Sequence, residues 1–383
     1  MKREEFAKRA LQQETSMSAL CREYGISRPT GYKWVERYKR HESMADQSHA
    51  PLRTPYKTLP ETEQLVLDYR KKHPAIGAVK TKRILENKGH TGLPSASTIN
   101  AIFKRNGCIT KEASQAAMPH QRFEKESPNE MWQADFKGHF RMKDSKRCHP
   151  LNIIDDCSRF NLCSDALTGE TFEAVKVSML RIFETYGLPF SFLCDNGNPW
   201  GTSQSTGFSR FEVWLMDLGI LTLHGRPRHP QTQGKEESFN RSMQRELLRH
   251  TDITDLAHAQ QTFDGYRRFY NHERPHHALC LDVPASRYEK SCIRLPSKIE
   301  GWEYPSGYAL RRVKNTGFLT YKGQGYFLSE AFGGKEIAVR ESHIPGSISL
   351  FYRQFRIGRI DVARRVFTLK KAYLIEGDPR QPI

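Results

Sequence analysis

The chain has 383 residues, enough for roughly two to four domains with buried cores. Its formal net charge of +17 favours a polyanionic partner, and no run of about 18 apolar residues is present, which excludes a membrane-spanning segment. The charge is unevenly spread: +5 in residues 1–60, +5 in 61–128, −1 in 129–290 and +8 in 291–383. This division predicts a central segment that holds acidic cation ligands, with basic binding modules on either side.

The eight cysteines do not form any C-x-x-C pair, so the sequence does not support a zinc site. No signal-peptide pattern precedes them. We therefore expect reduced thiols and a cytoplasmic location.

Residues 1–42 are expected to form a helix-turn-helix DNA-binding domain. A first helix is predicted over 4–13, and two further helices flank Gly25, with Ser27 as N-cap and Pro29 early in the last helix. Gly31 departs from the pattern, because such helices usually carry an aliphatic core residue there. The alternative is a plain helical hairpin with a solvated basic face. Expected contacts to bases and phosphates of the major groove are Arg28, Lys33 and Arg37.

Residues 60–110 are expected to form a second helix-turn-helix-like module, joined to its neighbours by linkers at 43–59 and 111–128. Lys104 and Arg105 are its expected DNA contacts. The predicted helices span 61–72, 78–87 and 95–106.

Residues 129–290 change in character and are predicted to be an α/β domain. Three strands, a helix, a strand, a helix, a strand and a final helix follow one another, which is typical of a sheet with mixed pairing. The predicted strands are 131–142, 149–155, 160–167, 190–195 and 220–223, and the helices before the last one are 171–186 and 208–218.

The last helix of this domain follows a tight loop in the stretch 230–241. Gly234 is expected to take the sharp backbone angle at its start. Phe239, Met243 and Leu247 are spaced four apart, which predicts one apolar face. Glu237 is expected to face a cleft, and its neighbour Glu236 is expected to be solvated.

Two aspartates are predicted to lie close to Glu237. Asp135 lies inside the first strand and Asp195 at the end of the fourth, so neighbouring strands would present both at one edge. Two carboxylates about 4 Å apart repel by about 4 kcal/mol at an effective dielectric near 20. Mg²⁺ or Mn²⁺ would relieve this repulsion, and two ions roughly 3.5–4 Å apart can serve both the attacking and the leaving oxygen of a phosphodiester.

The segment 129–290 resembles the catalytic core of insertion-sequence DDE transposases and retroviral-type integrases. The resemblance rests on four motifs: Trp132-Gln-Ala-Asp135, Cys194-Asp-Asn-Gly197, His229-Pro-Gln-Thr-Gln-Gly-Lys-Glu-Glu237 and Tyr270-Asn-His-Glu-Arg-Pro-His-His-Ala-Leu279. It implies an RNase H-like fold in which Asp135, Asp195 and Glu237 are the catalytic residues and bind two Mg²⁺ or Mn²⁺ ions.

The resemblance further implies a DNA transposase that binds the inverted repeats at the ends of a mobile element. Its partner would be double-stranded DNA, as transposon ends and as target, and it would act as a homo-oligomer, a dimer or larger. Its location would be the bacterial cytoplasm, at the nucleoid when DNA-bound. A DNA-binding regulator without catalysis and a nuclease that cleaves without strand transfer are the alternatives.

Several residues around these motifs have weaker interpretations. Arg226 and Arg228 are expected to hold phosphates, and Lys235 either contacts DNA or is an ordinary solvated helix residue. Asp155 and Asp156 are interpreted as turn residues. Residues 200–207 are interpreted as a flexible insertion between the second and third acids.

Residues 300–383 are predicted to be all-β, as a small barrel-like domain. Its basic charge favours contact with DNA. Support of a neighbouring subunit is the competing interpretation. Strands are predicted at 308–313, 317–321, 324–328, 335–340, 347–352 and 356–361.

Overall fold

A computed structural model describes residues 2–46, 58–109, 124–201, 207–225, 234–342, 344–364 and 366–374. The chain divides into two compact units, Met1–Thr58 and Leu59–Ile383. Among the described residues, no helix is long and apolar enough to cross a membrane.

The first unit is a three-helix domain with α1 (Lys2–Leu11), α2 (Met17–Glu23) and α3 (Arg28–Lys39). Gly25 has a φ of +64°, as the predicted turn requires. The Ser27 side chain accepts a hydrogen bond from the Thr30 amide, so the predicted N-cap of α3 is confirmed.

Gly31 is explained by the packing of this unit. A Cβ atom there would lie 2.8 Å from Sγ of Cys21 and 2.9 Å from Cζ of Phe6. Phe6 is fully buried and also meets Trp34 edge-on, with ring centroids 5.6 Å apart. The missing side chain therefore gives α1 and α2 room to approach α3.

The second unit begins with another three-helix module, formed by α4 (Pro60–Lys72), α5 (Ala78–Asn87) and α6 (Ala96–Arg105). The Ser95 side chain caps α6 by accepting a hydrogen bond from the Thr98 amide. Residues 73 and 88 of this module contact the last helix of the following domain: the His73 ring stacks on Phe269 with centroids 5.2 Å apart, and Lys88 pairs with Glu273 at 2.8 Å.

The central domain is built on a mixed sheet. Its strands are β1 (Met131–Phe136), β2 (Phe140–Arg141), β3 (Arg147–Asp155), β4 (Asn161–Leu167), β5 (Ser191–Cys194) and β6 (Leu221–His224). The order is β4-β3-β1-β5-β6, with short β2 beside the outer part of β3. β3 is antiparallel to β1 and β4, whereas β1, β5 and β6 run parallel. The strand predicted over 131–142 is interrupted, because Gly138 has a φ of +83° between β1 and β2.

Helices cover both faces of this sheet. They are α7 (Phe172–Tyr186), α8 (Arg210–Asp217), α9 (Gly234–Met243), which continues as a π-helical turn (Gln244–Leu248), and α10 (Leu256–His272). One apolar cluster joins the sheet to α7 and α8, and a second joins it to α9 and α10. Phe239 and Met243 are buried in the second cluster, which confirms the predicted apolar face of α9.

The C-terminal region is all-β. Its strands are β7 (Ala309–Arg312), β8 (Phe318–Tyr321), β9 (Gln324–Phe327), β10 (Glu336–Glu341), β11 (Ser347–Tyr352), β12 (Phe355–Asp361) and β13 (Val366–Leu374). Five of them form an antiparallel sheet in the order β13-β12-β11-β10-β7, and β8 and β9 form a hairpin. The prediction missed β13. The order of all-α, mixed α/β and all-β regions is confirmed.

Candidate active site

Asp135 lies in β1, and Asp195 directly follows the end of β5, the neighbouring strand. β1 and β5 are parallel, and Gln133 lies opposite Leu193. Two residues further along each strand direction are Asp135 and Asp195, so both aspartates reach the same edge of the sheet. The Gly197 amide donates to Oδ1 of Asp195 at 2.9 Å, which orients this carboxylate.

The environment of the two aspartates disfavours their ionised forms and raises the pKa of both. Burial raises the pKa of Asp135 to about 6, and the negative charges of Asp195, Glu237 and Glu170 add to the rise. Burial also raises the pKa of Asp195, with a further contribution from Glu170. A bound cation would stabilise the ionised form of these neighbouring carboxylates, so this edge of the sheet favours cation binding.

The third acid, Glu237, is exposed on the first turns of α9. Its neighbour Glu236 is only 1% exposed, so the expectation that Glu236 is solvated is wrong. The reason is helical spacing: Glu236 precedes Phe239 by three residues and Met243 by seven, which puts it on the buried face. This signal was already present in the sequence.

Glu236 is buried without hydrogen-bond partners. Neither carboxylate oxygen is hydrogen-bonded to any residue that the structure describes. Burial, followed by repulsion from Asp135, raises the pKa of Glu236 well above its usual range, although the nearby backbone of Ile154 partly offsets the rise. Burial therefore disfavours the ionised form of Glu236 relative to an exposed glutamate.

Asn240 was not predicted as a site residue, yet it holds Asp135 directly. Its Nδ2 donates to Oδ2 of Asp135 at 2.8 Å. Its Oδ1 accepts from Nδ2 of Asn152, whose own Oδ1 accepts from the Ser164 hydroxyl, both at 2.8 Å. A chain of polar side chains from β4 through β3 and α9 thus orients the first aspartate. Asn240 follows Glu237 by three residues, a spacing that could have identified it.

His224 holds the backbone of the second aspartate. Its Nδ1 lies 2.7 Å from the Asp195 carbonyl oxygen, and its Nε2 lies 2.9 Å from Oε1 of Glu212. Burial lowers the pKa of His224, but the hydrogen bonds to Glu212 and to the Asp195 carbonyl, together with the negative charges of both residues, outweigh burial, so the pKa is raised. Glu212 also completes the capping box of α8 with Ser209. No motif in the sequence pointed to this pair.

Glu170 is a fourth acid near the site. Its charge raises the pKa of both Asp135 and Asp195. Its Oε1 is 2.8 Å from Nδ1 of His149, and its carbonyl accepts from Nδ2 of Asn198 at 3.1 Å. The residue lies just before α7, far in sequence from the three motifs, and was missed.

Lys235, Asp155 and Asp156 all have partners within the protein. The ammonium of Lys235 pairs with the fully buried carboxylate of Asp156. Asp155 is also fully buried and accepts from the amides of Asn129 and Ser158. These contacts favour a structural role for Lys235 and agree with the interpretation of both aspartates as turn residues.

Two local expectations about the loops are wrong. Gly234 is the first helical residue of α9, has no positive φ and has open space where a Cβ would lie. Trp200, at the start of the supposed flexible insertion, is only 1% exposed and packs against Phe192 and Phe211. Its large apolar surface anchors this part of the loop in the core, while residues 202–206 lie outside the described part of the chain.

The predicted DNA contacts that the structure describes lie on α3 of the first unit and on α6 and α9 of the second. Arg28 and Lys33 are exposed on α3, and Arg37 donates to the Ala45 carbonyl at 3.2 Å. Lys104 is exposed at the end of α6, and Arg105 pairs there with Glu63. Arg226 and Arg228 lie outside the described residues.

The donors at this edge fit a hard divalent cation, because they are all carboxylates. The repulsion that raises the pKa of Asp135 is the kind that a bound cation removes. Within the described ranges, no group of three or more His, Cys, Asp or Glu side chains is gathered closely enough to hold a metal. The fit therefore rests on Asp135 and Asp195, with Glu237 on α9 as the third candidate.

Four regions of the chain match known domain families. Residues 125–230 and 218–282 match integrase core domains. Residues 308–367 match the C-terminal domain of IS481 family transposases, and residues 2–51 match a helix-turn-helix domain.

Proteins of bacterial insertion elements are similar over part of the chain. An uncharacterized 31.7 kDa protein of insertion element IS407 from Burkholderia multivorans is 28% identical over 182 residues, 48% of this chain and 61% of that protein. A putative transposase of IS5376 from Geobacillus stearothermophilus is 24% identical over 207 residues, 52% of this chain and 50% of that protein. The chain thus spans about half the length of the relatives it matches.

Solved structures of viral integrases resemble the chain at lower similarity. A simian T-cell lymphotropic virus intasome in complex with PP2A regulatory subunit B56 gamma has 15% identity and a TM-score of 0.38, covering 76% of this chain and 96% of that one. The HTLV-2 integrase catalytic core domain in complex with magnesium has 14% identity and a TM-score of 0.32, covering 42% and 97%. The domain matches therefore assign parts of the chain: it carries a helix-turn-helix domain, an integrase core domain and a C-terminal domain of the IS481 transposase type.

Proposed function

We propose that this protein is a DNA transposase that binds the terminal inverted repeats of a mobile element and carries out Mg²⁺-dependent 3′-end cleavage and strand transfer. The observation that supports this most directly is the pair Asp135 and Asp195 on adjacent parallel strands, electrostatically coupled to Glu237 on α9. The match to integrase core domains supports the same reaction class.

Asp135, Asp195 and Glu237 would hold the divalent ions, two Mg²⁺ or Mn²⁺ per site. When bound, such ions supply charge stabilisation to the attacking and leaving oxygens of a phosphodiester. The chain's own contribution is orientation: Asn240 fixes the Asp135 carboxylate, and the Gly197 amide fixes that of Asp195. Fixed donors cost little reorganisation during the reaction.

The chemistry has two steps without a covalent enzyme intermediate. Water attacks a phosphorus at the element end and forms a P–O bond, while the P–O3′ bond breaks and leaves a 3′-hydroxyl and a 5′-phosphate. That hydroxyl then attacks a target phosphorus, forming a new P–O3′ bond as the target strand's own P–O3′ bond breaks. The bond count is unchanged in the second step, so no external energy source is required.

DNA recognition would start from α3, where Arg28, Lys33 and Arg37 are the proposed major-groove contacts. Two element ends must be paired for transposition, so the active form would be a homo-oligomer of two or more chains on double-stranded DNA. We place it in the bacterial cytoplasm, at the nucleoid when DNA-bound.

The test is a set of single substitutions, Asp135→Asn, Asp195→Asn and Glu237→Gln. Each should lower Mg²⁺-dependent nicking of DNA that carries the element end by at least about 100-fold, because a charge-stabilising ligand is lost. Binding of the same DNA without metal should be retained. Glu184→Gln, which removes an exposed carboxylate from α7, is the matched control and should nick normally.

Wild-type nicking rates in any of the three variants would contradict the proposed site. Joined products distinguish the remaining candidates, since a nuclease would nick without joining the 3′ end to target DNA. A regulator without catalysis would bind the ends and show neither product.

A further inference from the structure

A cavity of about 750 Å³ lies between the second helical module and α9, the active-site helix that carries Glu237. One wall is formed by the beginnings of α5 and α6, and the other by α9 and its π-helical continuation. Both walls belong to one compact unit, and the stacking of His73 on Phe269 holds the module against α10.

The active-site helix presents a polar stripe to this cavity. Ser238, Arg241, Ser242 and Arg245 line it at intervals of three and four residues, so they share one helical face. Glu237 directly precedes the stripe in sequence. From Ser238 to Arg245 the stripe runs about 10 Å, which corresponds to about three nucleotides of a DNA strand.

The cavity has an excess of positive charge. Lys80 from α5 and Arg241 and Arg245 from the opposite wall have no carboxylate partner among the described residues. The acid in the lining, Glu246, is already paired with Arg274 at 2.7 Å. A cation excess of this kind between two walls attracts a polyanion.

Lys80 is the clearest case of a positive charge in this cavity that has no carboxylate partner among the described residues. It lies in the wall opposite the arginines, and its ammonium makes no hydrogen bond within the described part of the chain. Burial lowers the pKa of Lys80 to about 8, and repulsion from Arg274 contributes. A phosphate placed in the cavity would supply the missing negative charge.

We propose that this cavity, the cationic cleft, binds the phosphodiester backbone of the DNA strand next to the active site. Lys80 of the second module and Arg245 of the central domain would contact the phosphates from opposite walls. Arg241 and Arg245 are about 6 Å apart along the helix axis, the length of about two nucleotides of one strand, which suits two phosphates of a strand better than a single small anion. Ser97 and Asn100 at the start of α6 add neutral donors. The second module would thus bind DNA through its helix beginnings, whereas Lys104 and Arg105 lie at the other end of α6.

This inference rests on the proposed function for its substrate, and it can be tested without catalysis. The probe is a fluorescein-labelled 30-base-pair duplex of mixed sequence, titrated with the full-length protein in EDTA over a range of KCl concentrations. Each phosphate contact contributes about −0.9 to the slope of log K against log salt. Lys80→Gln with Arg245→Gln should therefore reduce the magnitude of the slope by about 1.8.

The controls separate this cleft from general surface charge. Arg268→Gln removes an exposed arginine of α10 that does not line the cavity, and it should keep the wild-type slope. Lys80→Arg retains the charge and should keep it as well. An unchanged slope in the double variant would overturn the inference.

Titration with pyrophosphate tests the small-anion alternative. If the double variant loses pyrophosphate binding but keeps the DNA slope, the cleft is a small-anion site and the inference fails. The salt titration contains no metal and does not depend on catalysis. If the wild type fails to nick DNA in a separate assay with Mg²⁺, the proposed function is contradicted, whereas a reduced salt slope in the double variant would still support the cleft.

Discussion

At the scale of single residues, the site depends on how Asp135 and Asp195 are held. Asp135 receives a hydrogen bond from Asn240, and Asp195 receives one from the Gly197 amide while its carbonyl meets His224. These contacts orient both carboxylates before any DNA or metal arrives. Preorganisation of this kind is what lets a site act on charge that develops during a reaction.

Glu236 provides a residue-scale prediction of pH dependence. Its pKa is raised in the folded protein, so the stability it contributes is present below its ordinary pKa near 4.5 and is lost as pH rises. Glu236→Gln cannot ionise, so at pH 4 its free energy of unfolding should match the wild type. At pH 8 it should exceed the wild type by about 1–3 kcal/mol. Urea denaturation at both pH values measures the difference.

The control for this prediction is Glu184→Gln, an exposed carboxyl on α7, which should leave the difference between pH 4 and pH 8 as in the wild type. Part of the pH dependence should remain in Glu236→Gln, because the pKa of Asp135 is about 6. A variant less stable than the wild type at pH 8 would show that the Glu236 carboxylate is stabilising.

At the scale of elements, the close approach of α1 and α2 to α3 depends on Gly31. Gly31→Ala would normally favour a helix by up to about 1 kcal/mol. Here the new methyl would lie within 3 Å of Cys21 and Phe6, and overpacking of this kind costs about 1–3 kcal/mol. We expect a net loss of about 1–2 kcal/mol, seen as faster amide hydrogen exchange in α3.

Gly265 in α10 is a matched control for Gly31. It also lies inside a helix, but nothing is found within 4 Å of the position its Cβ would take. Gly265→Ala should therefore slow exchange in α10, by up to about 1 kcal/mol of added protection. Slower exchange in α3 of Gly31→Ala would contradict the packing argument.

At the scale of the whole second unit, the C-terminal sheet packs against the central α/β domain of its own chain. Asp217 at the end of α8 accepts from the Tyr352 hydroxyl and pairs with Lys335 at 2.7 Å. Phe208 and Met216 are buried in the same apolar cluster as the inner face of that sheet. The two interpretations offered for this region were contact with DNA and support of another subunit; the observed packing is within one chain, and contact with DNA stays a prediction.

Asp217→Ala tests this connection. It leaves Tyr352, Lys335 and Arg353 without their shared acceptor, so the unfolding free energy should fall by about 2 kcal/mol or more. Limited proteolysis should then release the C-terminal region sooner than in the wild type. Asp361→Ala is the control: it removes a pair with exposed Arg364, and it should change stability by less than about 0.5 kcal/mol. Equal protease sensitivity of both variants would argue against a role of Asp217 in holding the C-terminal sheet against the central domain.

Much of the fold and of the candidate site was predictable because it is determined by residues that are close together in the sequence. The Ser27 and Ser95 caps, the Gly25 turn and the apolar face of α9 depend on residues close in sequence. The adjacency of Asp135 and Asp195 followed from their positions on strands of a sheet with mixed pairing. Glu236 was among the exceptions, although its spacing from Phe239 and Met243 places it on the buried face of α9.

The sequence by itself determined the kinds of elements, their order and the acids, since hydrophobic periodicity and motif spacing are local properties. Only the tertiary structure decided which side chains surround those acids: Asn240 orients Asp135, His224 holds the backbone of Asp195, and the charge of Glu170 raises the pKa of both aspartates. These residues come from separate elements and meet only after folding. The same holds for the cationic cleft, whose Lys80 and Arg245 are far apart in the chain and become neighbours only when the second module docks on α9 and α10.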